Sequence, residues 1–370
     1  MPSRKTLTYK ESGVDYSKID PAKIMAQQFA RATAGNLQTA GFGEIEASRG
    51  ESAYVIDVGD FYLASITECL GTKSLVADAM RAITGRTYYD SIAQDTIAMA
   101  VNDIITVGAR PLSVHAYWAA GSAAWFDDEA RMQDLITGWQ RACNASGVSW
   151  GGGETPSLAG VVQPEAIDLA ASCVGIIQPK ERLTLGNRLQ VGDAIVLFES
   201  SGIHANGISL ARKLAERLAA GYATPITDGR LYGEALLDPT ILYPQVTEAI
   251  FKAGVDVHYI ANITGHGWRK LMRHPGEFTY RVTGIPPVPP VLQFITEQAG
   301  LDPAEAYGSL NMGAGFALFV PPGEAETVRS VAEACGISAF SAGVVEAGPK
   351  QVLIEPLDVT YAAHSLHLRG

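Results

Sequence analysis

The stretch that decides the fold is residues 95–111, DTIAMAVNDIITVGARP. Its apolar residues recur at helical spacing and predict a buried helix; they are Ile97, Ala98, Val101, Ile104 and Ile105. Asp95 and Asn102 lie nearly two helical turns apart, so they share one face, and Asp103 follows directly. A buried helix rarely carries two carboxylates and an amide unless something satisfies them.

Two interpretations account for these polar groups. A hydrated magnesium ion that holds nucleotide phosphates would satisfy them, because this ion takes one or two carboxylates together with phosphate oxygens. Alternatively, the three side chains cap backbone groups or pair with arginines. The stretch alone leaves both interpretations open.

Composition limits the class of protein. The 370 residues are enough for two domains with a large core, and 47% hydrophobic and 18% charged residues are typical of a soluble globular protein. The formal net charge of -11 argues against a general nucleic-acid or anionic-membrane binder. The four cysteines show no C-x-x-C pairing, which predicts buried free thiols in a reducing cytoplasm. Neither a signal core nor a membrane-spanning run is present.

A predicted hairpin leads into a polar turn in the N-terminal half. Residues 53–58 and 61–67 are apolar runs separated by Gly59-Asp60, which is typical of two antiparallel strands. The second run continues into ECLGTK at residues 68–73, a candidate phosphate or metal site or else a plain turn. Its chemistry-bearing residues are Glu68, Gly71, Thr72 and Lys73.

Glycine-rich segments follow several predicted strands. Residues 151–155, GGGET, predict either a loop near a ligand, with Glu154 able to reach it, or a tight surface turn. Residues 199–207, ESSGIHANG, precede a predicted helix whose free N–H groups would suit a phosphate. His204 is a candidate proton carrier or a loop histidine bonded to backbone. Residues 264–267, TGHG, form a second such loop.

The order of predicted elements indicates two α+β domains. In the first half, the order strand, strand, helix, strand, helix, strand predicts a sheet with helices on one face. A polar segment at 178–191 separates it from a similar series, so we predict domains at 1–178 and 192–370. The polar arm at residues 1–50 is expected to be flexible or to cover a site.

In order and spacing, these motifs resemble the aminoimidazole ribonucleotide synthetase (phosphoribosylformylglycinamidine cyclo-ligase) family over nearly the whole chain. The matching segments are Tyr9-Lys10 with Gly13-Val14-Asp15, Gly41-Phe42-Gly43, residues 95–111, 152–155 and 200–210, Thr264-Gly265, and Asn311 with Gly313 and Gly315. The resemblance implies an N-terminal, ATP-binding sheet that forms a barrel-like homodimer interface, and a C-terminal α/β sandwich.

The implied reaction is ATP-dependent ring closure in purine synthesis. ATP would activate the formyl amide oxygen of formylglycinamidine ribonucleotide, and the amidine nitrogen would then attack to give aminoimidazole ribonucleotide, ADP and phosphate. ATP and Mg2+ are the implied cofactors, and the ribonucleotide is the implied small-molecule partner. Two alternatives remain: a paralogous ATP-dependent enzyme acting on another amide or acid, or a non-catalytic nucleotide-binding homodimer.

The resemblance also implies roles for individual residues. The metal ligands would be Glu68, Asp95 and Asp103. The ATP phosphates would contact Gly71, Thr72, Lys73, Asn102 and Asp103. The ribonucleotide would contact Gly153, Glu154, Ser201, Gly202, Asn206, Gly207, Thr264 and Gly265. The residues implied in catalysis are Asp95, Lys73 and His204.

Departures from the family pattern cluster on the predicted ligand-facing loops. The family's Asp-Gly-Val-Gly-Thr-Lys begins here with Glu68, which reaches one methylene further, and Cys69, which adds a side chain. His266 stands in the family's Thr-Gly-Gly-Gly, and Met312 stands in its Asn-Cys-Gly. Such changes are expected both of a paralogue with a different substrate and of a diverged synthetase.

Overall fold

A computed structural model of the chain describes residues 6, 7, 13 and 15–366. The family match at Tyr9-Lys10 and Val14 therefore lies outside the described residues. The helices of the described part are α1 Tyr16–Arg31, α2 Ser74–Thr84, α3 Tyr89–Ile104, α4 Glu129–Ser146, α5 Ile208–Ala215, α6 Tyr232–Leu236, α7 Pro244–Lys252, α8 Pro290–Ala299, α9 Pro303–Ser309 and α10 Ala325–Ala334.

The N-terminal sheet has six strands in the order β1-β2-β3-β6-β4-β5. They are β1 Gly43–Glu44, β2 Tyr54–Asp57, β3 Tyr62–Cys69, β4 Arg110–Ala120, β5 Ser149–Glu154 and β6 Ile167–Ile177. Strands β2 and β3 pair antiparallel around Gly59-Asp60, so the predicted hairpin is confirmed. Only β4 and β5 pair parallel within this described sheet.

One face of this sheet is covered and the other is open. Helix α3 packs against β3 and β6, and the alternating residues Leu169, Ala171 and Cys173 are buried on that side. Their neighbours Ser172 and Val174 remain partly exposed on the opposite side. We call this opposite side the open face; it includes Ser65 and Thr67 of β3, Ser172 and Val174 of β6, and His115 and Tyr117 of β4. The sheet is therefore a half-barrel.

The C-terminal sheet has seven strands in the order β13-β12-β9-β11-β7-β10-β8. They are β7 Ala194–Glu199, β8 Tyr259–Asn262, β9 Phe278–Val282, β10 Ala314–Val320, β11 Ala339–Ala347, β12 Gln351–Ile354 and β13 Val359–Ala362. Every residue of β10 is buried, as expected for a central strand covered on both faces. The predicted two-domain α+β fold is confirmed. The segment after Pro356 supplies β13.

Helix α3 joins the two domains. Its apolar residues Ile97, Val101 and Ile104 are fully buried, as the periodicity predicted. Its polar side faces the irregular segment 238–243 of the C-terminal domain, between α6 and α7. The helix is followed by a short 3-10 turn that ends at Gly108, which has a φ of +81°. A Cβ at this position would lie 1.9 Å from the carbonyl oxygen of Arg182, so only glycine fits here.

The glycine run after Val148 differs from the sequence prediction. Instead of a loop, Ser149–Glu154 is the edge strand β5, whose register with β4 shifts between Val114 and Ala116. A Cβ at Gly153 would lie 2.1 Å from the carbonyl oxygen of Ala116. The glycine therefore serves a close approach of two strands beside a bulge.

The cysteines and the lengths of the helices bear on two general predictions. All four cysteines are free, and Cys143 and Cys173 are buried as predicted, but Cys69 and Cys335 are exposed. No helix within the described residues has the length and apolar character needed to cross a membrane.

Candidate active site between the domains

A cleft of about 300 Å³ opens where both domains and α1 meet. It contains predicted site residues from four separate segments of the chain. They are Glu68 at the end of β3, Asp103 at the end of α3, Asn206 after β7, and Thr264 and Gly265 after β8. The tertiary fold thus gathers part of the predicted site in one place.

Two carboxylates lie together in this cleft. Glu68 is in register with the inward-facing Ala171, so it points to the covered side of the sheet, towards α3. Asp103 is buried, and its Oδ1 accepts a hydrogen bond of 2.7 Å from Asn262 Nδ2. Burial, and next the negative charge of Asp103, raise the pKa of Glu68 to about 7. A bound cation would relieve this repulsion.

Positive charge lines the other side of the cleft. Lys270 is only 8% exposed, and burial together with the charge of Arg273 lowers its pKa to about 8, against the opposing effect of Asp103 and Glu68. Arg273 is engaged by the protein: its Nε donates to the Gly50 carbonyl at 3.0 Å and its Nη1 to a serine hydroxyl at 2.6 Å. Carboxylates opposite a lysine form a charge pattern that suits a magnesium–phosphate ligand.

The donor set fits magnesium better than a closed metal site. Within the described ranges, no three histidine, cysteine, aspartate or glutamate side chains come together as a metal site. Glu68 and Asp103 supply two neighbouring carboxylates, and magnesium usually keeps several waters and takes its remaining ligands from phosphate. The site therefore fits this ion when it arrives with a nucleotide.

Asp95 and Lys73 lie elsewhere, in the interior between the domains, and both are fully buried. Asp95 Oδ2 is 2.6 Å from Lys73 Nζ, and Asp95 Oδ1 accepts hydrogen bonds from the N–H and hydroxyl of Thr240. Lys73 also donates to the carbonyl oxygens of His204 and Asp238. Burial raises the pKa of Asp95, and Lys73 opposes that rise. This placement differs from the predicted metal and catalytic roles, because these groups are occupied by one another and by backbone.

Asn102 differs from its predicted phosphate-binding role in the same way. Its Nδ2 donates to the Ile241 carbonyl at 2.8 Å, and its Oδ1 accepts from the Tyr243 N–H at 3.0 Å. Gln94 adds a bond to the Thr240 carbonyl at 2.9 Å. We call Gln94, Asp95 and Asn102 the α3 clamp. The backbone-capping interpretation therefore holds for Asp95 and Asn102, whereas Asp103 faces the cleft.

The contacts of His204 match the alternative interpretation, a loop histidine bonded to backbone. It is 5% exposed, and its Nε2 accepts a hydrogen bond of 3.2 Å from the Ser201 N–H. Burial and the charge of Lys73 lower its pKa to about 3, so the ring is neutral near pH 7. Gly202 belongs to the same closed loop, because its carbonyl accepts from Asn311 Nδ2 at 2.8 Å.

The glycine loops of the C-terminal domain meet at one edge of the cleft. Asn206 Oδ1 accepts a hydrogen bond of 3.2 Å from the Gly265 N–H and so joins the two loops. Thr264 lies beside this contact in the cleft lining. Gly207, at φ +88°, precedes α5, and a Cβ there would lie 2.4 Å from a Leu310 methyl group. Its role in the single chain is therefore packing.

Four further predicted residues also lie outside the cleft lining. Gly71 and Thr72 precede α2. Glu68, Ala171, Ala116 and Gly153 are in register across four adjacent strands, which puts Gly153 about 14 Å from Glu68. Glu154 is exposed and pairs with Tyr117 on the open face. One chain therefore does not bring Gly153 and Glu154 to Glu68.

Lys270 lines the cleft but was not among the residues predicted from the sequence. Lys270 lies in a short 3-10 helix, Gly267–Met272, whose Trp268, Leu271 and Met272 are buried. A charged residue within an apolar segment was the available signal, as it was in α3. Helix α1 forms one wall, where Asp20 Oδ2 lies 3.2 Å from His266 Nε2, so part of the arm does cover the site.

Fold and cleft together define a two-domain α+β protein with facing carboxylates and a lysine between its domains. The chain belongs to the AIR synthase related protein family: the family's N-terminal domain matches residues 50–177 and its C-terminal domain residues 190–355.

Relatives match this chain over nearly its full length. Phosphoribosylformylglycinamidine cyclo-ligase of Rippkaea orientalis is 30% identical over 95% of this chain and 100% of the relative. The enzyme of the same name from Methanobrevibacter smithii is 34% identical over 87% of this chain and 90% of its own. Among solved structures, T. maritima PurL complexed with ATP aligns with a TM-score of 0.54 and 16% identity, over 85% of this chain and 46% of PurL. That likeness shows the fold alone.

Proposed function

We propose that this protein is an ATP-dependent cyclo-ligase that converts formylglycinamidine ribonucleotide to aminoimidazole ribonucleotide, ADP and phosphate in purine biosynthesis. The observation that carries the proposal is the cleft, in which Glu68 and Asp103 face Lys270 at the junction of both domains. The cyclo-ligase name of full-length relatives favours this reaction over others of the superfamily.

The residues of the cleft have distinct tasks in this proposal. Glu68 and Asp103 would hold Mg2+, which neutralises the triphosphate when it is bound. Asn262 fixes the Asp103 carboxylate by its hydrogen bond. Asn206 ties its loop to Gly265 and shapes the wall against which the ribonucleotide lies. Helix α1 narrows access to the cleft, which limits hydrolysis of an activated intermediate by water.

The remaining predicted residues suit a homodimer in the cytoplasm. A second copy on the open face would cover the half-barrel and bury Glu154, which is exposed in one chain. Gly71 and Thr72 remain candidates for phosphate contacts, because they follow Glu68 closely in the chain and precede α2. The four free thiols suit a reducing compartment.

Phosphate release tests the proposed reaction directly. The protein is incubated with Mg-ATP, with and without formylglycinamidine ribonucleotide, and both phosphate and the cyclised imidazole are measured. We expect the ribonucleotide to stimulate phosphate release with one imidazole formed per phosphate. Release stimulated by another amide or acid but never by this ribonucleotide would assign the protein to a different reaction, and nucleotide binding without turnover would refute the enzymatic proposal.

A further inference from the structure

Three cations line the described cleft, and they differ in what engages them. Arg273 is held by a backbone carbonyl, a serine hydroxyl and the Glu51 carboxylate, and Lys23 lies exposed on α1. Lys270 is 8% exposed, yet its ammonium makes neither a hydrogen bond nor an ion pair with any described residue. Lys270 is therefore a nearly buried cation that lines the cleft.

An unpaired ammonium in such a place is costly. Removing a lysine charge from water costs several kcal/mol unless a partner compensates. Glu68 and Asp103 line the same cleft and favour the charged form of Lys270, but neither forms an ion pair with it. The opposite charges thus face each other across a space. A ligand that carries both a cation and an anion fills such a space, with the cation on the carboxylates and the anion on the ammonium.

The backbone around Lys270 is rigid enough to aim its side chain. Trp268, Leu271 and Met272 of the same 3-10 helix are buried, and the Trp268 indole donates to the Asn311 carbonyl at 2.7 Å. Arg273 anchors the end of this helix to Gly50 of the N-terminal domain. The backbone that carries Lys270 is therefore anchored beside the cleft before any ligand arrives, which reduces the reorganisation needed for electrostatic stabilisation.

We propose that Lys270 is a catalytic residue whose ammonium contacts the terminal phosphoryl group of the magnesium nucleotide during its transfer. The bond from the γ-phosphorus to the bridging oxygen breaks, and its electron pair leaves with ADP. A bond forms from the amide oxygen of the substrate to the same phosphorus. Lys270 keeps its protons and stabilises the charge on the equatorial oxygens. The identity of the acceptor rests on the proposed function; the contact with the nucleotide does not.

Calorimetric binding to the full chain tests this contact without any acceptor. The probes are Mg·β,γ-methylene-ATP and Mg·ADP, which lacks the terminal group. For Lys270→Met, we expect affinity for the triphosphate analogue to fall by roughly 10- to 100-fold, as for loss of a hydrogen bond to a charged group, with ADP affinity changed by less than about threefold. Lys270→Arg should recover part of the loss. The control is Lys213→Met, at an exposed lysine on α5 that pairs with Glu216.

Equal weakening of both nucleotides, no weakening of either, or failure of the wild-type chain to bind the triphosphate analogue would overturn the inference. A melting curve for each variant separates unfolding from lost contact. The difference in affinity between the two nucleotides can depend on Lys270 while the wild-type chain releases no phosphate with formylglycinamidine ribonucleotide. In that case the proposed reaction fails and this inference stands. With an active wild type, we expect the kcat of Lys270→Met to fall by about 10²–10³ at unchanged KM for the ribonucleotide.

Discussion

Glu68 is one of the two carboxylates that we propose to hold Mg2+. Its strand register turns it towards Asp103, and burial plus the neighbouring charge raise its pKa. Both effects disfavour an empty, doubly charged site and favour one that holds a divalent ion. The extra methylene relative to the family's aspartate lengthens its reach across the cleft, so the charge and the reach can be tested separately.

We expect Glu68→Gln to lower magnesium-dependent phosphate release by at least about 100-fold while the melting temperature stays within a few degrees, because the side chain keeps its shape and loses only its charge. Glu68→Asp should retain activity within about tenfold. Steady-state assays over a range of Mg2+ concentrations measure both, with Glu216→Gln on the surface as the control. Full activity of Glu68→Gln would exclude this residue as a metal ligand.

Asp95 is the opposite case, a carboxylate whose partners are all protein groups. Asp95→Asn leaves Lys73 buried without its counter-charge, and breaking one side of such a pair costs about 3–5 kcal/mol. We expect a clear fall in the free energy of unfolding, measured by urea denaturation. Any activity that remains should have an unchanged requirement for Mg2+. Lost activity in a protein of unaltered stability would return Asp95 to the catalytic site.

At the scale of elements, the sequence predicted the helical form of α3 but not the partners of its polar residues. Local periodicity fixed its helical form and its buried side, and the unusual polar residues were correctly singled out. Their partners in segment 238–243 lie about 140 residues away, and no local rule identifies a contact at that distance. Asp103 follows Asn102 by one position, which is a rotation of about 100° around the helix. This rotation places Asp103 in the cleft, whereas Asn102 belongs to the α3 clamp.

The glycine segments likewise show that local sequence does not identify the group that a backbone segment approaches. At 151–155 the sequence left open a ligand loop or a tight turn, and at 199–207 it indicated a loop suited to phosphate, because glycine lets the backbone approach many kinds of group. In the structure, Gly153 approaches strand β4, and the loop of Gly202 and His204 is closed by its own hydrogen bonds. Only the tertiary arrangement decides whether the approaching group is a ligand or another strand.

The loop around His204 should contribute to acid sensitivity. Its pKa is about 3 in the folded chain and about 6.5 when unfolded, so between these values the unfolded state binds the extra proton. Stability from this group is complete above about pH 6.5 and is lost as pH falls towards 3. His204→Asn, which tolerates the positive φ, should reduce the difference in urea midpoint between pH 7.5 and pH 4.5. An unchanged difference would mean that the imidazole does not stay neutral in the fold.

On the scale of the whole molecule, the open face of the half-barrel remains uncovered in a single chain. The covered face of the N-terminal sheet packs on α3, while the open face keeps Val174 and Tyr117 partly exposed between polar neighbours. Covering a half-exposed sheet face that carries apolar residues lowers the free energy, because apolar area is removed from water. A second copy of the same chain, related by a two-fold axis, would provide a self-complementary surface.

Val174→Glu should therefore convert a dimer to a monomer, because it places a charge in the middle of the surface that association would bury. Sedimentation equilibrium should give twice the chain mass for the wild type and the chain mass for the variant. Val161→Glu, at a position that is 81% exposed between β5 and β6, is the matched control and should remain dimeric. The monomer should also lose phosphate release if Gly153 and Glu154 act across the interface, whereas full activity in a monomer would confine the working site to the cleft of a single chain.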